Sequence, residues 1–551
     1  MKKYKENMVY TRILNLVFVF IVIFSLLTFR LYCLQIKNHD ELKVQALKQR
    51  GKEIKISPNR GIICDRNLVP LTNSEKSLTA FVFKDTIQKD EKLKKYILEN
   101  SFFNEKELEE YLNNKKGLID IPLKANALKM ENNKDIYITE KTSRYDDENL
   151  LSHVIGYVNK SENRGEAGIE KLYDEILRSK DECSLFLEAD NKRNIIFGGE
   201  YSVRADTDPY NPNGVKLTVD YNIQKMVENI FNEEKVNGSA IVTDVDTGDI
   251  LAMVSRPNFD QEDIDKYFNR EDMALYNKAI QVAYPPGSLF KIVVLLTALE
   301  EDINIQDKLF YCRGYEEIND ITIKCSNIYG HGYLTLKEAF SKSCNSAFIQ
   351  LGQKLGSEKI MAMSRRLGFG DKINIGLLEE VEGNLPTGRE LQGPAIGNIS
   401  IGQGSIETTP LQITNMMMII ANNGIEKDIG IVDGIITKDG YMIKKYNREE
   451  DKKVLPEEIC QIAQEYLVDV VKNGTAKRMD LKNIGGGGGK TGSAQAVFNR
   501  RMTIHGWFAG FYPEKKPKYV ITVFIEEGKS GAGAAAPIFE KISKEIYKNN
   551  R

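Results

Sequence analysis

A serine and a lysine stand three residues apart where a buried helix should begin. Ser288 follows two prolines and a glycine in the stretch YPPGSLFKI, and Lys291 opens the apolar run that continues to LLTALEE. The prolines predict a helix start near Ser288, so that both side chains share a face. Burial lowers a lysine pKa, and a neutral amine beside a hydroxyl is a general base beside a nucleophile. The pair predicts serine catalysis, with a surface lysine beside an N-cap serine as the alternative.

Two later segments offer groups that such a nucleophile needs. Ser343 and Asn345, in the run SCN, provide a hydroxyl for proton transfer and an amide for a substrate, although a helix N-cap has the same composition. Lys490 and Thr491, in the run GGGGGKTGS, can bind a carboxylate beside glycines that allow close backbone approach. The first glycine of a phosphate-binding loop is missing upstream, which leaves a plain glycine-rich loop as the alternative.

The overall composition argues against several classes of partner and cofactor. The net charge of −2 shows no basic bias, which argues against nucleic acid as the main partner. The four histidines have no paired spacing, so we predict no metal and no cofactor. They are His39, His153, His331 and His505. The seven cysteines are odd in number, which excludes a complete disulfide framework, but Cys312 and Cys325 flank a probable hairpin and could pair in an oxidising compartment.

The N-terminus carries the signal of a membrane anchor. The basic segment MKKYKENMVYTR precedes an apolar run from Ile13 to Phe29, which is about long enough to span a bilayer. No small-residue cleavage site follows, which favours a retained anchor over a cleaved signal peptide. Basic residues ahead of the span predict residues 1–12 in the cytoplasm, residues 13–29 in the membrane and the remainder outside the cytoplasm.

Element patterns predict two regions after the anchor. Residues 30–205 mix short strand-like and charged helical stretches, and residues 206–215 are rich in turn formers and predict a linker. Residues 216–551 contain a hairpin signature around Asp246 to Asp249, further strand-like runs and a closing helix from about Pro537 to Tyr547. This order predicts an α+β domain, an antiparallel sheet packed with helices, over the alternative of a parallel doubly wound sheet.

In order and spacing, YPPGSLFK, SCN and GKTGSAQ resemble the three active-site motifs of the penicillin-binding proteins and serine β-lactamases. The runs RGIICDRN, GEAGIEKLYDEIL, LTVDYNIQ and ISIGQGSIETTPLQ extend the likeness over essentially the whole chain. The chain looks like a class B penicillin-binding protein, a monofunctional peptidoglycan transpeptidase of the division, elongation or stage V sporulation D-like branch. The resemblance implies an elongated mixed α/β pedestal of the dimerisation type in residues 30–205. It implies a serine β-lactamase-like transpeptidase domain in residues 216–551.

The resemblance also implies a role for each motif residue. Ser288 would attack the carbonyl of the penultimate D-Ala of a donor stem peptide, Lys291 would take its proton, and an amine from a neighbouring stem peptide would resolve the acyl-enzyme. In this family β-lactams mimic the D-Ala-D-Ala end and trap the same serine. The other implied roles are proton relay by Ser343, orientation of Lys291 and the substrate amide by Asn345, substrate binding by Lys490, Thr491, Gly492 and Ser493, and an oxyanion hole from the backbone N–H groups of Ser288 and Ser493.

Two other functions remain open from the sequence. A β-lactam hydrolase or D,D-carboxypeptidase would use the same chemistry but resolve the ester with water. A non-catalytic β-lactam receptor or morphogenetic scaffold would keep the motif side chains without cross-linking. The expected partners are D-Ala-D-Ala stem peptides, β-lactam antibiotics, the membrane and a membrane glycosyltransferase. The five glycines Gly485 to Gly489 predict a loose strand edge beside Lys490.

Overall fold

The computed structural model describes residues 2–39, 42, 51–55, 60–115, 117–124, 127, 135–178, 183–188, 201–204, 212–498 and 501–549. They fall into two compact units that interleave along the chain. The first comprises Met1–Asn59, Glu75–Arg144 and Lys180–Thr207, and the second comprises Arg60–Ser74, Tyr145–Ser179 and Asp208–Arg551. The runs RGIICDRN and GEAGIEKLYDEIL thus belong to the second unit. The predicted domain bounds stay a prediction, and residues 206–211 of the predicted linker lie outside the described residues.

A long helix, Lys2–Tyr32, is exposed from Tyr10 to its end and is continued by a π-helical turn, Cys33–Lys37. The segment Tyr10–Lys37 has a mean hydropathy of 2.4 in its most apolar window, and that window is not buried against the protein. A helix of this length and composition can cross a bilayer. The apolar run predicted at residues 13–29 therefore lies within a helix suited to anchor the chain.

The first unit also contains two small antiparallel sheets. One has the strand order Leu118–Pro122, Lys76–Phe83, Tyr137–Thr142, and the other has the order Gly51–Lys55, Cys183–Glu188, Tyr201–Arg204. In the described part of this unit, the helices after the anchor are Lys84–Lys89, Glu91–Asn100 and Glu105–Asn114. The last two have charged sequences, but each buries two leucine or isoleucine side chains four positions apart, which form one apolar face. These faces cover the first of the two sheets.

The second unit is built on a five-stranded antiparallel sheet. Its strand order is Ile250–Arg256, Gly238–Asp244, Tyr519–Ile525, Arg501–Tyr512, Gly488–Phe498. The predicted antiparallel sheet is confirmed, and the parallel alternative is wrong. The strand with Lys490 lies at one edge, where only one side is paired to a neighbouring strand, and Lys490 stands opposite Ala509. We call Gly488–Phe498 the edge strand.

Two helices of the second unit are almost wholly buried. Lys291–Glu301 buries every residue from Lys291 to Leu299, and Pro410–Ala421 buries all of its residues. The other α-helices in the described residues of this unit are Ser152–Ile155, Gly168–Leu172, Asp174–Leu177, Tyr221–Glu234, Leu336–Ser341, Asn345–Leu355, Ser357–Arg366, Ala395–Ile399, Glu457–Lys472 and Ala536–Asn549. We call Lys291–Glu301 the central helix. A helix that is apolar on all sides is stable only inside a core, as the sequence predicts for this segment.

Short strands complete the second unit. A mixed sheet has the order Met442–Lys445, Val432–Thr437, Pro212–Leu217, Ile63–Cys64, in which only the last pair is parallel. The two-stranded pairs are Leu309–Cys312 with Gly332–Thr335, Tyr315–Ile318 with Ile321–Lys324, Ile425–Glu426 with Lys452–Lys453, and Val158–Asn159 with Arg164–Gly165. The hairpins between Leu309 and Thr335 lead directly to the segment that carries Ser343.

The motif RGIICDRN has a structural position. The buried Arg60 guanidinium donates to Glu170 Oε2 and Asp174 Oδ1, each at 2.8 Å, and so joins this motif to GEAGIEKLYDEIL. The Asp65 carboxylate accepts backbone N–H bonds from Val69 at 2.7 Å and Tyr221 at 3.1 Å. These charge-assisted hydrogen bonds hold separate segments of the second unit together.

Candidate active site

Ser288 lies in a tight turn at the start of the central helix. The turn Gly287–Phe290 is a 3-10 helix that runs directly into Lys291, so the predicted helix start is correct. Trp507 Nε1 donates to the carbonyl oxygen of Pro285 at 3.1 Å, and the Gly287 N–H donates to Gly402 at 2.9 Å. The half-buried Ser288 is therefore held by a turn that is fixed on two sides.

The Lys291 amine is fully buried and points toward the SCN segment. Its Nζ donates to the Ser343 carbonyl oxygen at 2.8 Å, to Ser343 Oγ at 3.2 Å and to Asn345 Oδ1 at 2.7 Å. All three acceptors are neutral oxygens. Within the described residues, the hydrogen-bond partners of Lys291 do not include Ser288 Oγ. The sequence predicted the Ser288 and Lys291 pair as neighbours on one face, whereas the structure connects the amine to the second motif.

Lys490 approaches the same hydroxyl from the edge strand. Its Nζ donates to Ser343 Oγ at 3.1 Å and to the Thr491 carbonyl oxygen at 3.0 Å, and it too is fully buried. Ser343 Oγ therefore contacts both amines. Ser343 has a φ of 54°, a left-handed conformation that costs a serine on the order of 1–3 kcal/mol. This backbone turns both oxygens of Ser343 toward Lys291.

Burial changes the protonation of both amines. It lowers the pKa of Lys291 to about 8, while the nearby Cys344 and Cys325 thiols act in the opposite direction. Burial, and then the charge of Lys291, lower the pKa of Lys490 well below its ordinary value. Since two ammonium groups that share one hydroxyl repel each other, a neutral amine is accessible near neutral pH. A neutral lysine in this position can accept a proton from a serine.

The third motif lies against the serine turn. A Cβ on Gly492 would lie 2.9 Å from the Pro286 carbonyl oxygen, and a Cβ on Gly287 would lie 2.9 Å from the Ser493 carbonyl oxygen. Thr491 is almost buried, and its Oγ1 lies 2.7 Å from Thr475 Oγ1. Ser493 is exposed, and its Oγ accepts a hydrogen bond from the Gly531 N–H at 3.2 Å. The structure thus brings the three predicted segments together and adds a threonine hydroxyl that no motif contained.

The segment around Gly402 supports the serine turn from the other side. Gly402 has a φ of 69°, and a Cβ there would lie 2.1 Å from the Gly287 carbonyl oxygen. Gly402→Ala must therefore displace the turn that holds Ser288. We expect a melting temperature roughly 5 °C lower and acylation by penicillin roughly tenfold slower, measured by thermal unfolding and stopped-flow acylation.

Gly404→Ala is the matched control for that prediction. Gly404 also has a positive φ, 87°, but its added Cβ would meet only the Asn398 Cβ at 3.7 Å. This variant carries the backbone cost without the clash, so its acylation rate should stay within about twofold of wild type. Equal losses in both variants would contradict a specific role for the contact with Gly287.

Three thiols and an imidazole lie close together, and one of the thiols belongs to the SCN segment. The donor atoms of Cys312, Cys325, His331 and Cys344 all lie within 4.8 Å of one another. His331 Nδ1 lies 3.5 Å from Cys312 Sγ and 3.6 Å from Cys325 Sγ, and the Cys325 and Cys344 sulfur atoms are 3.8 Å apart. All three thiols are free and buried, so the Cys312 and Cys325 disulfide considered from the sequence is not formed here.

This donor set is the one that tetrahedral structural zinc sites use. The prediction of no metal considered only the spacing of histidines, and it missed a cluster whose four ligands come from separate turns and hairpins. Cys344, which lies between Ser343 and Asn345, is the residue that joins the cluster to the active site. These four residues are the ones that could hold a metal ion, and the chemistry of such an ion would be structural because all four donors come from the protein.

The cluster makes a metal-content prediction. We expect the purified chain to carry zinc, measured by elemental mass spectrometry, and chelation to lower its melting temperature. Cys312→Ala should lose the zinc, whereas Cys460→Ala, which removes a buried free thiol outside the cluster, should keep it. A metal-free chain whose melting temperature responds to neither chelator nor added zinc would contradict this expectation.

Comparisons with known proteins agree with this geometry. Residues 238–544 match the Penicillin binding protein transpeptidase domain, and residues 55–211 match the Penicillin-binding Protein dimerisation domain. Stage V sporulation protein D from Bacillus subtilis is 29% identical, over 95% of this chain and 83% of that protein. Peptidoglycan D,D-transpeptidase MrdA from Acinetobacter baumannii is 26% identical, over 97% of this chain and 88% of that protein.

Solved structures show the same fold. The Penicillin-Binding Protein (PBP2) from Helicobacter pylori superimposes with a TM-score of 0.69 at 24% identity, over 90% of this chain and 99% of that chain. The D,D-Transpeptidase Domain of Peptidoglycan Glycosyltransferase from Eggerthella lenta gives a TM-score of 0.64, over 89% of this chain and 98% of that chain. Because the transpeptidase domain alone matches more than half of the chain, the resemblance seen in the sequence is confirmed, and the chain belongs to the penicillin-binding protein transpeptidase family.

Proposed function

We propose that Ser288 is the nucleophile with which this transpeptidase cross-links peptidoglycan stem peptides. The observation that carries the proposal is the environment of Lys291. Its amine is fully buried, its described hydrogen bonds all go to neutral oxygens, and its pKa is lowered to about 8. A lysine without a carboxylate partner in the core is costly to keep, which indicates a catalytic use.

The proposed reaction has two acyl transfers. Ser288 Oγ attacks the carbonyl carbon of the penultimate D-Ala, and its proton passes to Lys291 Nζ. The bond to the terminal D-Ala breaks, and the leaving nitrogen takes a proton through Ser343 Oγ, which lies within hydrogen-bond distance of both lysine amines. The amine of a neighbouring stem peptide then attacks the ester carbonyl and loses a proton to Lys291. The bond to Ser288 Oγ breaks, Lys291 returns the proton to that oxygen, and the new amide bond is released from a regenerated enzyme.

The other motif residues position the substrate in this scheme. Asn345 Oδ1 orients Lys291, and its Nδ2 donates one hydrogen to the Lys324 carbonyl at 3.0 Å, which leaves a second hydrogen for a substrate carbonyl. Lys490, Thr491 and Gly492 bind the terminal carboxylate end. We assign the oxyanion hole to the backbone N–H groups of Ser288 and Ser493, because the serine turn and the edge strand are in contact at Gly287.

The membrane placement is also part of the proposal. From the basic residues ahead of the apolar run we infer that residues 1–12 lie in the cytoplasm. The pedestal, residues 30–205, and the catalytic domain, residues 216–551, would then both lie outside it. PBP2 from Helicobacter pylori, a relative in fold, has been solved in a complex with MreC, so proteins with this fold can bind protein partners. For this chain we propose a membrane glycosyltransferase, which would supply the glycan strands that are cross-linked.

The proposed transpeptidase function is tested by whether an amine or water resolves the acyl-enzyme. The full chain in detergent is incubated with a D-Ala-D-Ala pentapeptide donor and increasing concentrations of an acceptor amine peptide, and both products are measured by mass spectrometry. We expect the amide product to increase with the acceptor while the hydrolysed donor decreases. A hydrolysed donor as the only product at every acceptor concentration would instead favour a D,D-carboxypeptidase.

A further inference from the structure

Thr475 lies between two of the active-site segments. It follows the helix Glu457–Lys472, and its Oγ1 lies 2.7 Å from Thr491 Oγ1. Its backbone N–H donates at 3.1 Å to the carbonyl oxygen of Ser341, which is two residues before Ser343. One residue therefore contacts both the segment that presents Ser343 and the strand that presents Thr491.

The backbone around Thr475 is fixed independently of its side chain. A Cβ on Gly474 would lie 2.4 Å from the Ser341 carbonyl oxygen, so the turn is packed closely against that segment. The Ala476 N–H donates to Val470 at 3.1 Å and closes the turn onto the preceding helix. A substitution that removes only the Thr475 hydroxyl leaves all of these backbone contacts in place.

The short distance between the two hydroxyl groups restricts their protons. A hydroxyl has one proton and two lone pairs, so only one of the two oxygens can donate in their shared hydrogen bond. If Thr491 donates to Thr475, Thr491 has no proton left for a ligand carboxylate. If Thr475 donates to Thr491, the Thr491 proton is free, and the incoming hydrogen bond makes it a stronger donor.

We propose that Thr475 is a positioning residue for the carboxylate of the donor, and that its hydroxyl donates to Thr491 so that Thr491 donates to the carboxylate. This inference rests on the proposed function, in which Thr491 binds that carboxylate. Thr491 is buried. If it donated its only proton to Thr475, a carboxylate bound beside it would lose a hydrogen-bond donor that water could not easily replace. The ligand class is an acyl donor with a free carboxylate, whether a peptide or a β-lactam.

The test compares two probes that differ only in that carboxylate. Acylation rate constants are measured with benzylpenicillin and with its methyl ester for the wild type and the variants Thr475→Val, Thr475→Ser and Thr491→Val. We expect Thr475→Val to slow acylation by the acid roughly tenfold and by the ester less than about twofold. Thr475→Ser keeps the hydroxyl and should stay within about threefold of wild type on both probes.

A double-mutant cycle separates positioning from general stability. Thr475→Val combined with Thr491→Val should be no slower on the acid than Thr491→Val alone, because both act through one hydrogen bond. Equal slowing on the acid and the ester, or full additivity in the cycle, would overturn the inference. Thr475→Ala, with melting temperatures for all variants, replaces Thr475→Val if that variant does not fold.

The same data distinguish failure of the inference from failure of the proposed function. If Thr491→Val keeps the wild-type preference for the acid over the ester, Thr491 does not bind the carboxylate. The proposed substrate-binding role of Thr491 and the positioning role of Thr475 are then both wrong. If Thr491→Val loses the preference but Thr475→Val keeps it, only the role of Thr475 is wrong.

Discussion

Ser288→Ala is expected to abolish both the covalent penicillin adduct and the cross-linked product. Without its nucleophile, a serine acyltransferase loses on the order of 10⁶ in turnover, and the residual rate comes from the oxyanion hole and substrate binding. The measurement is intact mass after penicillin treatment together with amide product formation from a pentapeptide donor. Because the half-buried Ser288 makes no hydrogen bond to the buried amine of Lys291 among the described contacts, the substitution should leave the fold intact.

Ser161→Ala is the control for this prediction. Ser161 is an exposed serine whose hydroxyl bonds only to Asn159 among the described residues, and its loss should leave adduct and product unchanged. A stable adduct on the Ser288→Ala chain would show that a different residue is the nucleophile.

Lys291→Met is expected to slow acylation by on the order of 10²–10⁴, the range that a general base contributes. Methionine fills a similar volume but cannot accept a proton, so the serine hydroxyl loses its base. Lys291→Arg is the companion variant, because arginine keeps a positive charge in the core but does not deprotonate in proteins. If the neutral amine is the active form, both variants should be slow in stopped-flow acylation. Near-normal acylation by Lys291→Arg would mean that the positive charge is what matters.

The pH dependence of acylation gives an independent view of the same amine. Burial lowers the pKa of Lys291 to about 8, and the base form is the one without the proton. Acylation should therefore increase as pH rises through about 8 and fall about tenfold per pH unit below it. The charged and titratable groups near this amine are Lys490, Cys344 and Cys325. The midpoint of the pH profile therefore belongs to these interacting groups together with Lys291. A rate that is constant from acid to alkaline pH in folded protein would exclude Lys291 as the base.

Local sequence signals were sufficient for the central part of the site. The prolines before Ser288 predicted where the helix begins, and the apolar run after Lys291 predicted a buried lysine, and both features are present in the structure. The sequence could not show that the Lys291 amine bonds to Ser343, because that contact joins residues 52 positions apart and depends on the left-handed backbone of Ser343. It also could not show that Thr475, which no motif marks, lies against Thr491.

Two of the five glycines before Lys490 lie within the edge strand. Five consecutive glycines predict a loose edge, but Gly488 and Gly489 are regularly paired in the edge strand. A Cβ at Gly488 would lie 2.4 Å from the Phe511 ring, and one at Gly489 would lie 2.6 Å from the Phe508 ring. These glycines allow aromatic rings to pack against the strand. Such a requirement depends on side chains of a neighbouring strand, which single-sequence reasoning does not see.

The fold class could be predicted from the sequence, but the assignment of chain segments to the two units could not. Hairpin signals predicted the antiparallel sheet, because each of them is local. Arg60–Ser74 and Tyr145–Ser179 join the second unit through long-range contacts, such as the ion pair between Arg60 and Glu170 and the hydrogen bond from the Tyr221 N–H to Asp65. Charged residues of this kind carry no periodic pattern. The cysteine cluster was missed for the same reason, since its ligands come from separate segments.

The most direct test of the central claim is the attachment site of penicillin on the wild-type chain. The full chain in detergent is treated with benzylpenicillin and digested, and the modified peptide is sequenced by tandem mass spectrometry. We predict a single long-lived adduct on Ser288, within the peptide that contains YPPGSLFK. An adduct on any other residue, or a folded chain that takes up no penicillin, would contradict the account.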